Sequence, residues 1–177
     1  MFLFCDIDGV LIPFPGADGS APGTHQITQV TPAGYEQPVP IWLNPEHGPL
    51  LAGLIAATGL RPIWCTSWRQ DAARLIGPRL QLPPWPHVPL PRLQLIDSHP
   101  HGYLWRRDYV TRYADGQPFA WIDDDFARPA DHAWAADLTA TGQPALLVQP
   151  DPHTGLQPRH IGVILRWVAG IHSLLDV

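Results

Sequence analysis

Short, continuous apolar runs alternate along the chain with segments whose apolar residues recur at helical spacing. Such runs are typical of strands that are buried on both faces of a parallel sheet. Four of them are evident, at Phe2–Cys5, Arg61–Cys65, Phe119–Ile122 and Ala145–Val148. Helices are expected between them, at about 45–58, up to about 76, and at 103–113, 131–140 and 159–175. Alternation of strands and helices predicts an α/β fold.

The stretch 11–43 interrupts this alternation directly after the first strand. It holds two segments of strand-like composition, His25–Thr31 and Gln37–Leu43, separated by Pro32-Ala33-Gly34. This pattern predicts a β-hairpin or flap. The prolines at 38 and 40 are compatible only with an edge strand. Residues 78–92 are rich in proline and predict an irregular path, with a short strand near Val88.

Several residues mark where the helices begin and end. Asn44 is a good N-cap, and Pro45 is suited to a first helical position. Gly59 is expected to end the same helix. The pair Gly77-Pro78 is expected to break the following one. We see no internal repeat and no linker, so one domain covering residues 1–177 is expected.

The charge balance argues mildly against tight, non-specific binding to nucleic acid, because the formal net charge is −5. This charge balance does not exclude a small site that binds the end of one nucleic-acid strand. All eleven basic residues are arginine, since the sequence contains no lysine. No segment approaches the roughly 20 apolar residues of a membrane helix, and no secretory signal is visible. A cytoplasmic protein without membrane association is expected.

Chemistry-bearing residues follow the ends of the predicted strands. Asp6 and Asp8 come directly after the first strand, and their spacing places them on the same side of the chain. Two such carboxylates can divide the work of phosphate-ester hydrolysis, with Asp6 as nucleophile and Asp8 as proton donor and acceptor. Mg²⁺ suits a site of carboxylates and phosphoryl oxygens. A solvated turn explains the pair equally well when it is taken alone.

Three further signals have the same ambiguity. Thr66 and Ser67 follow the second strand, where they can bind phosphate or cap the next helix. The run Asp123-Asp124-Asp125 follows the third core strand and can hold a cation or form a solvated acidic loop. Arg106 and Arg107 can stabilise transferring phosphate or lie exposed on a helix. Their order along the chain, each at one expected sheet edge, favours the functional interpretation of the whole set.

The sequence resembles the haloacid dehalogenase (HAD) superfamily. The matching motifs are DIDGV at 6–10, CTSW at 65–68, WRRD at 105–108 and WIDDD at 121–125. Within that superfamily it is similar to HAD domains of bacterial RNA-repair proteins. This looser similarity rests on LNPEHGPLL at 43–51, LIGPRLQLPPWP at 75–86 and DPHTGL at 151–156.

The resemblance implies a three-layer sandwich with a parallel sheet in the order 5-4-1-2-3. It also implies that the flap at 11–43 is a small cap. Mg²⁺ is then expected on Asp6, the backbone carbonyl of Asp8, and Asp124, while Asp123 orients the basic residue. The family supplies a lysine at this point, and this chain has none. Arg106 aligns best with it, and Arg107 is one step away.

These expectations combine into a Mg²⁺-dependent phosphomonoesterase with an aspartyl-phosphate intermediate. The resemblance points to phosphorylated RNA or DNA ends as substrate. Trp42 and His25 of the flap could stack a terminal base, although ordinary packing explains them more simply. A small-molecule or nucleotide phosphatase is an alternative. So is a non-catalytic phosphate-binding or partner-binding module, which only the missing lysine supports.

Overall fold

The computed structural model describes residues 1–91, 105–126 and 128–175. The strands are β1 (Phe2–Cys5), β2 (Gln26–Val30), β3 (Val39–Leu43), β4 (Arg61–Trp64), β5 (Phe119–Ile122) and β6 (Ala145–Val148). The helices are α1 (His47–Thr58), α2 (Arg107–Ala114), α3 (Pro129–Ala140) and α4 (Pro158–Leu175). All four continuous apolar runs form strands, as expected, although β6 is only partly buried.

The central sheet has four parallel strands in the order β4-β1-β5-β6. In register, Phe4 of β1 lies between Ile63 of β4 and Trp121 of β5. The order expected from the resemblance has five strands, whereas the described sheet has four. Beyond β4, the described residues contribute a single parallel bridge between Trp64 and His87 in place of the short strand expected near Val88.

The two faces of the sheet carry separate hydrophobic cores because side chains alternate along β1. Leu3 and Cys5 pack into a core that includes residues of α1 and α4. Phe2 and Phe4 pack on the opposite face with residues of α2, and Trp134 of α3 packs against that core. The result is a three-layer α/β arrangement with β1 in the interior. Both cysteines, Cys5 and Cys65, are buried and free.

Strands β2 and β3 form a separate antiparallel hairpin, here called the flap hairpin (residues 26–43). Three side chains from the segment 71–80 hold it. Arg74 and Arg79 donate to the carbonyl oxygens of Thr31 and Gln29, at 3.1 and 2.8 Å. The Asp71 carboxylate accepts the Ala33 N–H at 2.6 Å. The turn at the tip is therefore tied to the chain that follows β4.

One helix boundary differs from the sequence prediction, and at another the chain continues as a different type of helix. Helix α1 begins at His47, because Asn44 accepts the Glu46 N–H at 3.0 Å and forms a turn ahead of the helix. Gly59 ends α1 with a left-handed φ of 66°, as expected. The next helix ends at Ile76, as expected, but Gly77-Pro78 does not end the helical path. A π-helical turn at Ala72–Ile76 runs directly into a 3₁₀ helix at Gly77–Leu80, since Pro78 lies in its first turn, where a missing N–H costs little.

Of the helix expected at 103–113, the described part is α2, and residues 103 and 104 lie outside the described ranges. In those ranges, no helix combines the length and the apolar character needed to cross a bilayer.

At Gly48, helix α1 packs tightly against the segment 77–80. A Cβ atom at this position would lie 1.9 Å from the carbonyl oxygen of Leu80, whereas one at the exposed Gly53 would meet nothing within 4 Å. We therefore expect Gly48→Ala to lower the free energy of unfolding by about 1–3 kcal/mol or more, through overpacking. Gly53→Ala is expected to raise it by about 0.5–1 kcal/mol, through helix propensity.

Urea unfolding of both variants measures the difference. Equal shifts for the two glycines would contradict the close approach of α1 to the segment 77–80.

Candidate active site

The carboxyl ends of three neighbouring strands meet at one edge of the sheet. Backbone hydrogen bonds continue past the ends of the strands, from Asp6 N–H to Ile122 O at 2.9 Å and from Cys65 N–H to Cys5 O at 2.8 Å. Asp123 N–H likewise bonds Val148 O at 3.1 Å. Asp6, Thr66 and Asp123 therefore leave the sheet from fixed backbone positions, and all three are buried.

Arg106, just ahead of α2, joins these strand ends. Its Nη1 lies 2.5 Å from an Asp6 carboxylate oxygen, 3.0 Å from Asp123 and 2.9 Å from the Cys65 carbonyl. Burial opposes the charged guanidinium, but Asp6 and Asp123 outweigh it and raise the pKa of Arg106 above its usual value. One buried cation thus holds two buried carboxylates together.

Arg107 points to different partners. Its Nε lies 3.6 Å from Asp108, and its guanidinium lies 5.5 Å from the ring of Trp134. Of the two arginines that the sequence left open, the structure brings Arg106 to the acidic strand ends.

Asp8 is held by the loop that follows β4. The indole N–H of Trp68 donates to both carboxylate oxygens, at 3.0 and 3.1 Å, and the Ser67 hydroxyl donates at 3.3 Å. Burial, and next the nearby Asp6, raise the pKa of Asp8, while the Trp68 and Ser67 hydrogen bonds oppose that rise. Trp68 was assigned no role from the sequence, although it stands in the CTSW motif itself.

Thr66 and Ser67 face different surroundings. Thr66 is buried, and its hydroxyl oxygen accepts the Trp68 N–H at 3.3 Å. This bond stabilises the turn after β4 and resembles the capping role that the sequence left open. Ser67 is exposed next to Asp8.

Asp124 completes an acidic cluster with Asp6 and Asp123, in which one carboxylate oxygen from each residue lies within 4.8 Å of the other two. Burial, and next Asp6, raise the pKa of Asp124 to about 6. Gly9, with a φ of 68°, makes room for this carboxylate, since a Cβ there would lie 2.3 Å from the Asp124 Cγ. The glycine of DIDG is thus needed for both its backbone conformation and its size.

The cluster has the features of a cation site. The cluster has three carboxylates, and the Arg106 guanidinium pairs with two of them, Asp6 and Asp123. Within the described ranges, the Asp124 carboxylate accepts a hydrogen bond only from its own backbone N–H, and no residue donates to the backbone carbonyl of Asp8. Free oxygen ligands beside uncompensated charge fit a hard divalent cation, held by Asp6, Asp124 and the Asp8 carbonyl.

The flap residues considered for base stacking have other neighbours. His25 packs edge-on against the ring of His47, with 5.5 Å between the ring centroids. His47 is buried, and its Nε2 lies 3.0 Å from the Leu156 carbonyl. Trp42 pairs with Ile27 across the hairpin. The His25 contact favours ordinary packing.

The sequence matches one described protein family over most of its length. A family model described as the HAD domain in Swiss Army Knife RNA repair proteins matches residues 2–161. Because the match covers most of the chain, the protein belongs to this family, and the class that the family indicates is a hydrolase.

One solved structure, described as a HAD superfamily (subfamily III A) hydrolase from Legionella pneumophila, is 15% identical. That match has a TM-score of 0.46 and covers 99% of this chain and 89% of the other. Comparison with curated proteins gave no match.

The acidic cluster predicts different effects for two neighbouring aspartates. We expect Asp124→Asn to lower the affinity for a divalent cation by about tenfold or more, because one negative oxygen leaves the cluster. Asp125→Asn removes the same charge from an exposed position outside the cluster and is expected to change the affinity little. Calorimetric titration with Mg²⁺, without substrate, measures both. A comparable loss in the two variants would place the cation elsewhere.

Proposed function

We propose that this protein is a Mg²⁺-dependent phosphomonoesterase that works through an aspartyl-phosphate on Asp6. The observation that carries the proposal is the buried Asp6 carboxylate, paired with Arg106 and adjoining the cluster with Asp123 and Asp124. Asp8, a second carboxylate with a raised pKa, stands two residues away in the chain. A nucleophile, a proton donor and a cation site thus occupy one sheet edge.

Bound Mg²⁺ would offset the negative charge of the phosphoryl group next to the aspartates. Asp6, Asp124 and the Asp8 backbone carbonyl are the oxygens that would hold it. Asp123 pairs with Arg106 and is assigned to positioning that arginine.

In the first half-reaction, an Asp6 carboxylate oxygen bonds to phosphorus, and the bond from phosphorus to the leaving oxygen breaks. Asp8, in its protonated form, transfers its proton to that oxygen, so the product leaves as an alcohol. A raised pKa favours the protonated form that this step needs. Trp68 and Ser67 hold the carboxyl group in position.

In the second half-reaction, water attacks the phosphorus of the aspartyl-phosphate. Asp8, now a carboxylate, takes a proton from that water, and the bond between phosphorus and the Asp6 oxygen breaks. Inorganic phosphate leaves, and both carboxyl groups return to their starting states. Asp8 therefore serves first as acid and then as base.

Arg106 takes the place of the lysine that the family normally supplies. It is a permanent cation that already contacts Asp6 and can also donate to a phosphoryl oxygen, as charge stabilisation requires. The missing lysine was the one feature in favour of a non-catalytic module. Because Arg106 can supply the same positive charge, that feature no longer favours the non-catalytic alternative.

The proposed substrate is a phosphorylated RNA or DNA end. The family description, which concerns RNA repair proteins, supports it. So does the flap hairpin, a two-stranded cap that is small for enclosing a metabolite. The net charge of −5 opposes binding of a long polyanion, so the favourable charge has to be local. A small-molecule or nucleotide phosphatase is the alternative.

The nucleophile is tested by Asp6→Asn. The neutral amide cannot attack phosphorus as a carboxylate does, so turnover of an aryl phosphate with Mg²⁺ should disappear. A chelator should likewise stop the wild-type reaction. Unfolding of the variant, followed in urea, checks that the fold survives. Activity near the wild-type level in Asp6→Asn would refute the covalent mechanism.

The role of Arg106 is tested against its neighbour. Arg106→Ala should cost about 2–4 kcal/mol in transition-state stabilisation, the range seen for other preorganised electrostatic groups. Arg107→Ala should cost much less, because Arg107 lies beside Asp108 and Trp134. Arg106→Lys keeps a cation at the same position and should recover part of the loss. Steady-state kinetics give these values, and equal small effects at 106 and 107 would mean that the charge comes from elsewhere.

A further inference from the structure

Two adjoining cavities extend from the proposed catalytic residues. One, of about 360 Å³, is lined by Asp8, Tyr35 and Pro32, and the other, of about 320 Å³, by Arg69, Trp105 and Pro91. Both are also lined by Ala33, Ser67, Trp68 and Asp71, so they form one groove between the flap tip and the loop after β4. Each volume is in the range of small-molecule sites.

The Asp8 end of this groove faces the leaving group if Asp8 is the proton donor. Since the leaving oxygen must reach Asp8, the remainder of the leaving group extends along the groove. The residues at the far end of the groove would therefore contact the leaving group and could select among substrates by its chemical groups.

Arg69 stands out among the arginines of the described ranges. Its Nε is buried, and no described residue accepts a hydrogen bond from it or pairs with its charge. Arg74 pairs with Asp71, and Arg106 pairs with Asp6 and Asp123. Asp71, the carboxylate nearest to Arg69 in sequence, is already occupied by Arg74 and the Ala33 N–H.

The backbone of Arg69 adds a second observation. Its φ is 53°, in the left-handed region that a residue with a long side chain rarely adopts. Strain of this kind persists where the surrounding structure fixes the conformation, and it is common at ligand sites. An arginine kept in a strained turn, with its Nε buried beside a groove, is poised for an anionic partner.

We propose that Arg69 binds a second phosphate carried by the leaving group, and so selects substrates with a phosphate besides the one removed. A guanidinium holds phosphate through paired N–H donors. The groove also presents the indole rings of Trp68 and Trp105, which suit a nucleoside between the two phosphates. The same chemistry belongs to an internucleotide phosphate and to a nucleoside bisphosphate. This inference rests on the phosphatase function proposed above.

Kinetics with four substrates test it. They are an aryl phosphate, a nucleoside 3′-monophosphate, a nucleoside 3′,5′-bisphosphate and a dinucleotide with a terminal phosphate. Arg69→Gln should lower kcat/KM for the last two by about tenfold or more, mainly through KM, because a charge-assisted contact is lost. The first two should change by less than about threefold. Arg166→Gln, a charge change on α4 outside the groove, should affect no substrate.

The two doubly phosphorylated substrates distinguish the source of the second phosphate. Loss on the dinucleotide alone assigns Arg69 to an internucleotide phosphate, and loss on both assigns it to either source. A uniform loss on all four substrates would overturn the proposal and place Arg69 at the reacting phosphate. Unchanged kinetics on all four would also overturn it.

Binding measurements separate this proposal from the phosphatase function. In the Asp6→Asn background, calorimetry with the nucleoside bisphosphate and with the dinucleotide should show weaker binding when Arg69→Gln is added. Wild-type protein inactive on every substrate would end the phosphatase proposal, while the calorimetry would still decide whether Arg69 binds phosphate. Arg69→Asn is a second variant, because asparagine tolerates the left-handed backbone better than glutamine. Equal affinities with and without Arg69 would refute the subsite.

Discussion

The structure of this site depends on the compensation of buried negative charge. Asp6 and Asp123 leave adjacent strands at the same sheet edge, and both are nearly inaccessible to water. Leaving such carboxylates unpaired costs several kcal/mol, so a cation has to reach them from another element. Arg106 does so from the start of α2 and also bonds the end of β4 through the Cys65 carbonyl. The residue that neutralises the acids therefore also ties together the elements that carry them.

The single positive charge of Arg106 does not neutralise all three carboxylates of the acidic cluster. Asp124 adds a third carboxylate, and its raised pKa reflects burial together with the field of Asp6. A divalent cation would neutralise the remaining negative charge of the cluster. The electrostatics of the cluster and the proposed chemistry therefore both favour a cation here. Gly9 is part of this balance because any side chain at that position would displace Asp124. The short motif at the end of β1 thus contains the turn, the proposed nucleophile and part of the proposed cation site.

The flap hairpin and the loop after β4 form the side of the site that faces the groove. They meet through Asp71, which joins the Ala33 N–H to Arg74 and so fixes the tip of the flap next to Trp68 and Asp8. The proposed reactive groups all lie at the sheet edge, where they would act on any phosphate ester. The groove is lined by Trp68, Trp105 and Arg69, whose Nε has no partner among the described residues, and it is where we propose that selectivity for one ester over another arises.

The sequence by itself determined the four core strands, the hairpin and the acids that follow β1 and β5. Continuous apolar runs and strand-terminal aspartates are local signals, and they persist whatever the chain packs against. Tertiary structure decided what depends on contacts between distant segments. Three contacts are of this kind. Arg106, and not Arg107, lies beside the acids, Trp68 donates to Asp8, and Asp71 holds the tip of the flap hairpin. The sequence cannot distinguish two neighbouring residues of the same type. Their roles differ because the backbone directs their side chains to different partners.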